Sequence, residues 1–261
     1  MYNKFEKLKI YLNRMNEERQ GICLAFSGGI DSTLLLYLCR DLNLTAVTFK
    51  SAFQTGEEIA FTRKICEKFN IMHIIKEFNP LEHPELKNNP KNRCYLCKKL
   101  FFKELKSIAG SYLAIDGTNF DDLSAYRPGI AALGELDIIS PLAGFKISKS
   151  EIRSYAKELG IEIFDKPSTP CLATRFPYGT ELTKEKLFIA ENGEKLLENS
   201  GFKNNRLRIH GDIARIEIPQ ADFGLFLQKK ASIINGLKNL GLKYITLDAE
   251  GLRSGSMEGL K

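Results

Sequence analysis

The chain has 261 residues, of which 43% are hydrophobic and 27% charged, and its formal net charge is +6 at pH 7. This composition excludes general disorder, and the length allows one large domain or a medium domain with a smaller companion. The sequence has no apolar signal core at its start and no apolar run near the roughly 18 residues of a membrane span, so we expect a cytoplasmic protein that makes no use of a membrane. The basic residues are dispersed among acidic ones, which permits phosphate-rich ligands without requiring nucleic acid.

Strand-like and helix-like segments alternate through the first part of the chain. Strands are predicted at 21–26, 44–49, 71–78, 112–116 and 137–142. Helices are predicted at 32–42, 56–70, 94–108 and 148–159. Ser148 and Glu151 have the spacing of a capping box at the start of the last of these helices. The alternation predicts an α/β fold with a Rossmann-like parallel sheet covered by helices on both faces.

A different order of elements follows a segment rich in Pro, Thr and Gly at 165–183. The later part is predicted to contain a helix at 184–199, two strands within 206–218, a helix at 220–234 and a strand at 243–248. Two adjacent strands joined by a short turn indicate a hairpin, so a small α+β domain is expected. We place the first domain at residues 1–170 and the second at residues 171–261.

The string SGGIDS directly follows the first predicted strand. Ser27, Gly28 and Gly29 form the predicted turn, and Asp31 and Ser32 begin the next helix. The N–H groups of a glycine turn and the positive end of a helix dipole together bind anions, and an aspartate there can hold the Mg²⁺ that accompanies a polyphosphate. The loop lacks the lysine and the spacing of the Walker pattern, which disfavours an ordinary P-loop ATPase. A tight turn with a serine cap would explain the glycines but not the whole string.

A second polar loop, DGTNFDD at 116–122, follows a later strand. In such folds it is expected to open at the same edge of the sheet, where ligands bind. Asp121 and Asp122 are therefore candidates for metal or substrate binding, and a solvated polar loop is the alternative interpretation.

Cys94 and Cys97 stand three residues apart and share one face of the predicted helix 94–108. The flanking residues are basic: Lys91, Arg93, Lys98 and Lys99. Basic neighbours and a helix N-terminus favour the thiolate form of a cysteine, although the pair could also be the first turns of an apolar stripe. The chain has no second C-x-x-C and no H-x₃₋₅-H pair, so a common zinc site is incomplete.

Cys171 is the remaining candidate ligand, since it stands in the Pro-bounded loop PSTPCLATRFPYG beside Arg175. Cys23, Cys39 and Cys66 instead lie within apolar runs, where a cysteine behaves as a small hydrophobic residue. Three thiolates are one short of a Cys₄ zinc site or a Cys₄ iron–sulfur cluster, so such a centre would keep an open position. A thioredoxin-like C-x-x-C would leave the glycine loop and Cys171 unexplained.

Arginines cluster in the second part of the chain. Arg206 and Arg208 share one face of a predicted strand, Arg215 lies on its partner strand, and Arg253 follows near the C-terminus. Arginine binds phosphate and carboxylate groups through paired hydrogen bonds, so a nucleotide that carries carboxylates would suit this cluster. A solvated basic face of a small sheet is the alternative.

The string SGGIDS resembles the PP-loop of the N-type ATP pyrophosphatases, a family that includes NAD and GMP synthetases and tRNA-thiolating enzymes. The resemblance implies cleavage of ATP to AMP and pyrophosphate, with the pyrophosphate held by residues 27–32. It also implies that the substrate is activated by adenylation.

A more specific resemblance runs from about residue 20 to the C-terminus. The strings SGGIDST, RCYLCK, DGTNFDDLSAYRPG, PCLATRFPYGTELT, RLRIHGDIARIEI and LRSGSM occur in an order similar to that of the LarE family. These are ATP-dependent sulfur transferases that help to make the nickel-pincer nucleotide cofactor. The resemblance implies that a carboxylate of a pyridinium mononucleotide is adenylated and converted to a thiocarboxylate. The substrate-binding residues that it implies are Asp121, Asp122, Arg127, Glu194, Arg206, Arg208, Arg215, Glu217 and Arg253.

Some LarE members have only the cysteine that matches Cys171 and sacrifice its sulfur, ending as dehydroalanine. This chain has all three positions and is similar to members in which Cys94, Cys97 and Cys171 hold a [4Fe–4S] cluster that carries an extra sulfide through repeated turnovers. The cofactors implied are this cluster, ATP and Mg²⁺.

The partners implied are sulfide or a sulfur donor, other proteins of nickel-pincer cofactor biosynthesis, and further copies of the chain in a homo-oligomer. A tRNA thiolase of the same superfamily is one alternative, which the modest net charge and the absence of a zinc-ribbon or RNA module disfavour. A redox or metal-storage protein, in which the glycine loop is merely a turn, is the other.

Overall fold

The structure is a computed structural model that describes residues 2–53, 56–124, 129, 131–165 and 170–253. The described residues form two compact units. The first lies within residues 1–79 and 92–169, and the second within residues 80–91 and 170–261.

Seven strands and eleven α-helices are found among the described residues. The strands are β1 (Ile22–Ala25), β2 (Leu44–Ser51), β3 (Met72–Phe78), β4 (Leu113–Ile115), β5 (Arg206–His210), β6 (Ile213–Glu217) and β7 (Tyr244–Leu247). The helices are α1 (Tyr2–Arg19), α2 (Ile30–Cys39), α3 (Gly56–Lys68), α4 (Pro84–Lys87), α5 (Arg93–Ala109), α6 (Phe120–Ser124), α7 (Ala131–Glu135), α8 (Pro141–Gly144), α9 (Lys149–Glu158), α10 (Lys184–Asn199) and α11 (Phe223–Asn239).

The first unit is built on a four-stranded sheet in the order β3-β2-β1-β4, and every pairing in it is parallel. Ile22 of β1 is in register with Leu44 of β2 and with Leu113 of β4. The strands therefore end at the same edge of the sheet, which brings the loops after β1 and β4 together. The predicted α/β fold with a Rossmann-like parallel sheet is confirmed.

Helices cover both faces of this sheet. One core layer contains buried side chains of α1, α2 and α9, among them Phe5, Leu34 and Ile152. The layer on the other face contains Phe102 and Leu105 of α5. A parallel sheet with both faces covered needs apolar residues throughout its strands, which explains why β1 reads as a continuous apolar run.

Three of the six cysteines belong to this core, as the sequence predicts. Cys23, Cys39 and Cys66 are buried. Burial raises the pKa of the Cys23 thiol to about 11 and that of the Cys39 and Cys66 thiols to about 12. These thiols therefore stay protonated at neutral pH and serve as small apolar side chains.

The prediction of a strand at 137–142 is wrong. The segment makes one isolated parallel bridge between Ile139 and Ile115, and Pro141 then begins the short helix α8. Proline cannot donate a hydrogen bond to a ladder, and its fixed φ suits the first position of a helix, so the strand cannot continue.

The N-terminal helix α1 is an element that the sequence analysis did not predict. Phe5, Leu8 and Leu12 on this helix are fully buried. Their spacing of three and four residues is the pattern of an amphipathic helix, and it could have revealed α1 among the surrounding charged residues.

The second unit contains a small sheet in the order β5-β6-β7. β5 and β6 form the predicted antiparallel hairpin, and β7 lies parallel to β6. Leu207 and Ile216 point to the face covered by α10 and α11, whereas Arg208 and Arg215 are paired on the opposite face. Residues 80–91 belong to this unit, since the Leu182 amide donates to the Lys87 carbonyl at 2.7 Å.

None of the described helices combines the length and the apolar character that a membrane crossing requires.

The capping box at the start of α9 is confirmed. The Ser148 hydroxyl accepts a hydrogen bond from the Glu151 amide, and the Glu151 carboxylate accepts one from the Ser148 amide at 2.8 Å. This box sets the first residue of the helix, which is Lys149.

We expect Ser148→Ala to lower the free energy of unfolding of the first unit by about 1 kcal/mol, because it removes the cap of α9. Urea denaturation of the purified protein measures the change. Ser107→Ala, at an exposed position within α5, is the control and should have no comparable effect. Equal destabilisation by the two substitutions would contradict the role of the cap.

Candidate functional site

The loop between β1 and α2 forms the turn that the sequence predicts. Gly28 has a φ of 76°, and a Cβ on it would lie 2.9 Å from the Thr62 methyl carbon, so this position requires glycine. The Ser27 and Ser32 hydroxyl oxygens lie 3.2 Å apart across the turn, and the Gly29 amide donates to the Ser27 hydroxyl. The loop thus directs hydroxyl and amide groups to the N-terminus of α2, where an anion is stabilised.

The turn after β4 packs directly against this loop. A Cβ on Gly117 would lie 2.9 Å from the Ser32 backbone nitrogen, so only glycine allows this approach. The buried Asp116 carboxylate holds the turn by accepting hydrogen bonds from the Thr118 hydroxyl at 2.6 Å and the Ser140 hydroxyl at 2.5 Å. The two loops therefore form one continuous rim.

A cavity of about 340 Å³ opens beside this rim within the first unit. Its lining residues are Ala25, Phe26, Ser27, Gly29, Asp31, Ser32, Val47, Phe49, Lys98, Phe101, Phe102, Asp116, Gly117, Thr118 and Asp122. The rings of Phe49 and Phe101 stack at 4.9 Å on its apolar side, and hydroxyl, amide and carboxylate groups line its polar side. An apolar side next to an anion-binding side suits a nucleotide.

Asp31 is paired with a residue that the sequence analysis did not select. The Lys149 ammonium donates to both Asp31 carboxylate oxygens, at 2.8 and 2.6 Å. Burial raises the pKa of the Asp31 carboxyl, and the Lys149 charge opposes that rise. In the sequence, the only signal for Lys149 is its position directly after the predicted Ser148 cap.

The two acids of the second loop have different environments. Asp122 lines the cavity, and its charge contributes to the raised pKa of Asp31. The Asp121 carboxylate accepts a hydrogen bond from the Lys149 amide at 2.8 Å, so it helps to place α9. Arg127 lies outside the described residues.

The cavity also provides a test of the expected Mg²⁺ site. Two carboxylates, on Asp31 and Asp122, and two hydroxyls, on Ser27 and Ser32, line the same cavity. Oxygen ligands of this kind are those that Mg²⁺ prefers, so the residues fit the ion. Lys98 is a further cavity residue that the sequence analysis considered only as a neighbour of the cysteines.

The cysteine pair lies at the start of α5. Cys94 is exposed and Cys97 is half-buried, unlike the three core cysteines. The guanidinium of the buried Arg93 approaches the Cys94 sulfur at 4.0 Å. Lys98, one turn after Cys94, reaches the cavity, so a single helix connects the cysteine pair to the candidate nucleotide site.

Cys171 lies in the second unit and is half-buried. It immediately precedes a short 3₁₀ helix at Leu172–Arg175, and its carbonyl accepts hydrogen bonds from the Thr174 amide and hydroxyl. Within each unit, the described residues include no group of three or more His, Cys, Asp or Glu side chains placed to hold a metal ion. The two thiols one turn apart on α5 nevertheless form a donor set that suits iron as part of a larger ligand set.

Of the predicted arginine cluster, Arg208 is buried, whereas Arg206, Arg215 and Arg253 are half-buried. The Arg175 side chain is fully buried and makes a two-point ion pair with Glu194, at 2.6 and 3.0 Å. Arg208 and Arg215 both donate to the buried Glu217 carboxylate, at 3.1 and 2.9 Å. The solvated-face alternative is therefore wrong for Arg208.

Arg206 and Arg253 complete the cluster. Arg206 stands opposite Glu217 in the hairpin register, and Arg253 pairs with Asp248 at 3.3 Å. Burial lowers the pKa of Arg206 and Arg208, and the charge of Arg175 lowers both further. The mutual repulsion of these arginines favours an anionic ligand, because such a ligand would stabilise the charged guanidinium groups.

Comparison with known proteins first defines the class. Residues 12–88, which contain β1 and the SGGIDS loop, match the family model described as Asparagine synthase. Together with the parallel sheet, this match shows that the first unit is a PP-loop, ATP-using domain.

Full-length relatives then define the family. The chain is 37% identical over 248 residues to pyridinium-3,5-bisthiocarboxylic acid mononucleotide synthase of Lactiplantibacillus plantarum, covering 92% of this chain and 90% of that protein. It is 36% identical to an uncharacterized protein of Synechocystis, over 98% of this chain and 97% of that protein. An uncharacterized protein of Methanocaldococcus jannaschii is also 36% identical, over 96% of this chain and 98% of that protein. The chain belongs to the LarE family of ATP-dependent sulfur transferases.

We expect Gly117→Ala to weaken ATP binding about tenfold or more, because the added methyl group must push the Ser32 backbone out of place, and tenfold corresponds to about 1.4 kcal/mol. Isothermal titration calorimetry with Mg·ATP measures the affinity. Gly134→Ala is the matched control, since a Cβ on Gly134 meets no atom within 4 Å. An unchanged affinity in Gly117→Ala would show that the contact between the two loops does not shape the nucleotide site.

Proposed function

We propose that this protein uses Mg·ATP to adenylate a carboxylate of a pyridinium mononucleotide and converts the acyl-adenylate to a thiocarboxylate. The observation that carries the proposal is the cavity that joins an apolar, phenylalanine-lined side to the serine, glycine and aspartate groups of the SGGIDS loop. Full-length similarity to a pyridinium-3,5-bisthiocarboxylic acid mononucleotide synthase supports the choice of substrate.

In this proposal the cavity binds ATP. The adenine occupies the side lined by Val47, Phe49 and Phe101, where the ring stacks on aromatic and aliphatic groups. The β- and γ-phosphates lie at the N-terminus of α2 and accept hydrogen bonds from Ser27, Ser32 and the loop amides. Asp31 and Asp122 hold Mg²⁺, which neutralises part of the triphosphate charge.

Lys149 has two roles in this arrangement. Without a nucleotide it neutralises the buried Asp31 through the ion pair described above. When Mg·ATP is bound, Asp31 would be a ligand of Mg²⁺, and the Lys149 ammonium would contact the phosphate oxygens instead of Asp31. There it stabilises the negative charge that develops on the departing pyrophosphate.

Adenylation is an in-line substitution at phosphorus. A substrate carboxylate oxygen attacks the α-phosphorus, the bond to the bridging oxygen of pyrophosphate breaks, and the acyl-adenylate forms. A sulfur nucleophile then adds to the acyl carbon and AMP leaves, which gives the thiocarboxylate. AMP is a good leaving group, so the energy of ATP cleavage drives the exchange of oxygen for sulfur.

The arginine-rich face of β5 and β6 is the proposed substrate-binding surface. Arg206, Arg208, Arg215 and Arg253 supply guanidinium groups for the phosphate and carboxylates of a mononucleotide. Glu217 holds Arg208 and Arg215 in place before the substrate arrives, and Glu194 holds Arg175 in the same unit. The conformational entropy of these arginine side chains is therefore lost during folding rather than on binding, and this favours tight binding.

We assign the sulfur-carrying site to Cys94, Cys97 and Cys171. When bound, a [4Fe–4S] cluster with three cysteine ligands would supply an open iron site for an extra sulfide. These three cysteines are the ones outside the core.

We expect Lys149→Gln to slow pyrophosphate release about 10²-fold, because it removes one charged donor from the developing anion. A coupled phosphate assay after pyrophosphatase treatment measures the rate. Lys149→Arg should retain part of the activity, and Lys157→Gln on the same helix is the control. A wild-type rate in Lys149→Gln would exclude the phosphate-binding role of Lys149.

The cluster assignment is tested on protein purified without oxygen. We expect the iron and sulfide content of a [4Fe–4S] cluster, its visible absorbance, and repeated sulfur transfer. Cys94→Ala should lose the cluster and repeated turnover but keep pyrophosphate release, whereas Cys66→Ala should keep all three. Repeated sulfur transfer by a cluster-free Cys94→Ala protein would refute this assignment.

Two alternatives give different results in the same experiment. A sacrificial mechanism through Cys171 would yield at most one product per chain and leave dehydroalanine at position 171, which mass spectrometry detects. A tRNA thiolase would bind tRNA with an affinity that falls steeply as salt increases, and would leave the pyridinium mononucleotide unchanged.

A further inference from the structure

Asn89 connects two stretches of the second unit that are far apart in sequence. Its side chain is fully buried, and its amide nitrogen donates to the carbonyls of Ala173, Phe176 and Pro177 at 3.3, 3.1 and 2.9 Å. The main-chain carbonyl of Asn89 accepts a hydrogen bond from the Gly179 amide at 3.1 Å. One residue thus binds the backbone of the Cys171 loop, residues 171–179, at four points.

The Cys171 loop depends on such bonds because it has little regular structure. Its single 3₁₀ turn, Leu172–Arg175, cannot order the following residues. The Cys171 carbonyl is held by Thr174, and the neighbouring Ala173 carbonyl is held by Asn89. Asn89 therefore fixes the turn on which the position of Cys171 depends.

The residue type at position 89 is specified in two ways. The backbone has a φ of 48°, a left-handed conformation that asparagine tolerates better than most residues. The short carboxamide supplies two N–H hydrogens to the three carbonyl oxygens that surround it. Aspartate would fit the same space, but its charge would face three carbonyls and be repelled by them.

The contacts continue on the C-terminal side of the loop. The Lys87 carbonyl accepts from the Leu182 amide at 2.7 Å, and the Lys87 ammonium pairs with the Glu181 carboxylate at 2.6 Å. The segment around residues 87–89 therefore clamps both the Cys171 loop and the chain that leaves it.

We propose that Asn89 is the positioning residue of the Cys171 loop and that sulfur transfer, but not ATP cleavage, depends on its carboxamide. This inference rests on the proposed function, in which Cys171 belongs to the sulfur-carrying site. Asn89 acts through the loop and touches no reacting atom. Loss of the Asn89 carboxamide should therefore slow sulfur transfer and leave ATP cleavage unchanged.

The test uses Asn89→Gly and Asn89→Asp in the full-length protein purified without oxygen. Glycine keeps the left-handed backbone accessible and removes only the carboxamide, whereas aspartate keeps the shape and removes the donors. Asn70→Gly is the control, since Asn70 is exposed and has a similar φ of 51°. Hydrogen exchange of peptides covering 171–179, pyrophosphate release, the KM for ATP and sulfur-transfer turnover are measured for each protein.

We expect exchange in the loop to become at least about tenfold faster in both Asn89 variants, as the loss of several hydrogen bonds implies. Sulfur transfer should fall by a similar or larger factor, while pyrophosphate release and the KM for ATP stay within about twofold of wild type. Unchanged exchange in the loop would overturn the proposal. A loosened loop with wild-type sulfur transfer would overturn it as well, as would an equal loss of both half-reactions.

Failure of the proposed function looks different. In that case the wild-type protein itself would transfer no sulfur to the mononucleotide, and the exchange measurement alone would decide whether Asn89 holds the loop. Unchanged exchange would then refute the clamp, and faster exchange limited to residues 171–179 would support it.

Discussion

The close approach of two backbones, at Gly117 and Ser32, is the constraint on which the proposed nucleotide site depends. The parallel register of β1 with both β2 and β4 brings the loops after β1 and β4 to one edge of the sheet. Glycine then lets the second loop rest on the first turn of α2. Asp116 locks the second loop by hydrogen bonds to Thr118 and Ser140. The hydroxyls, amides and carboxylates of the cavity are therefore aligned before any ligand binds, which is how a folded protein stabilises developing charge.

The second unit arranges its charges by a different principle. Here carboxylates and guanidinium groups pair with at least one partner buried, as in the Arg175–Glu194 pair and in the sharing of Glu217 by Arg208 and Arg215. Buried ion pairs add little net stability, since desolvation offsets much of their attraction, but removing one partner leaves an uncompensated charge. Such a network is better suited to fixing the direction of side chains than to stabilising the fold. The proposed binding of an anionic nucleotide to this surface requires that fixed direction.

Sequence patterns located most of this structure and missed specific parts of it for physical reasons. The loop residues 27–32, the hairpin and the capping box were found because each depends on local chemistry: glycine turns, strand alternation and an N-cap. The strand predicted at 137–142 failed because its apolar pattern ignored the proline that ends it. Lys149 was missed because its partner, Asp31, is distant in the chain and only the sheet brings them together. Asn89 was missed for the same reason, since the three carbonyls to which its side chain donates lie more than eighty residues away.

The order of motifs in the amino-acid sequence was sufficient to establish the fold class, the ATP-using domain and the family. Each of these is indicated by short segments whose pattern does not depend on contacts with distant parts of the chain. The tertiary structure decided which charges are paired. It buried Arg208 and Arg175 against glutamates, joined Lys149 to Asp31, and assigned residues 80–91 to the unit that carries Cys171. Pairings of this kind depend on distances between segments remote in the chain, and such distances are determined only when the sheets and their covering helices have packed.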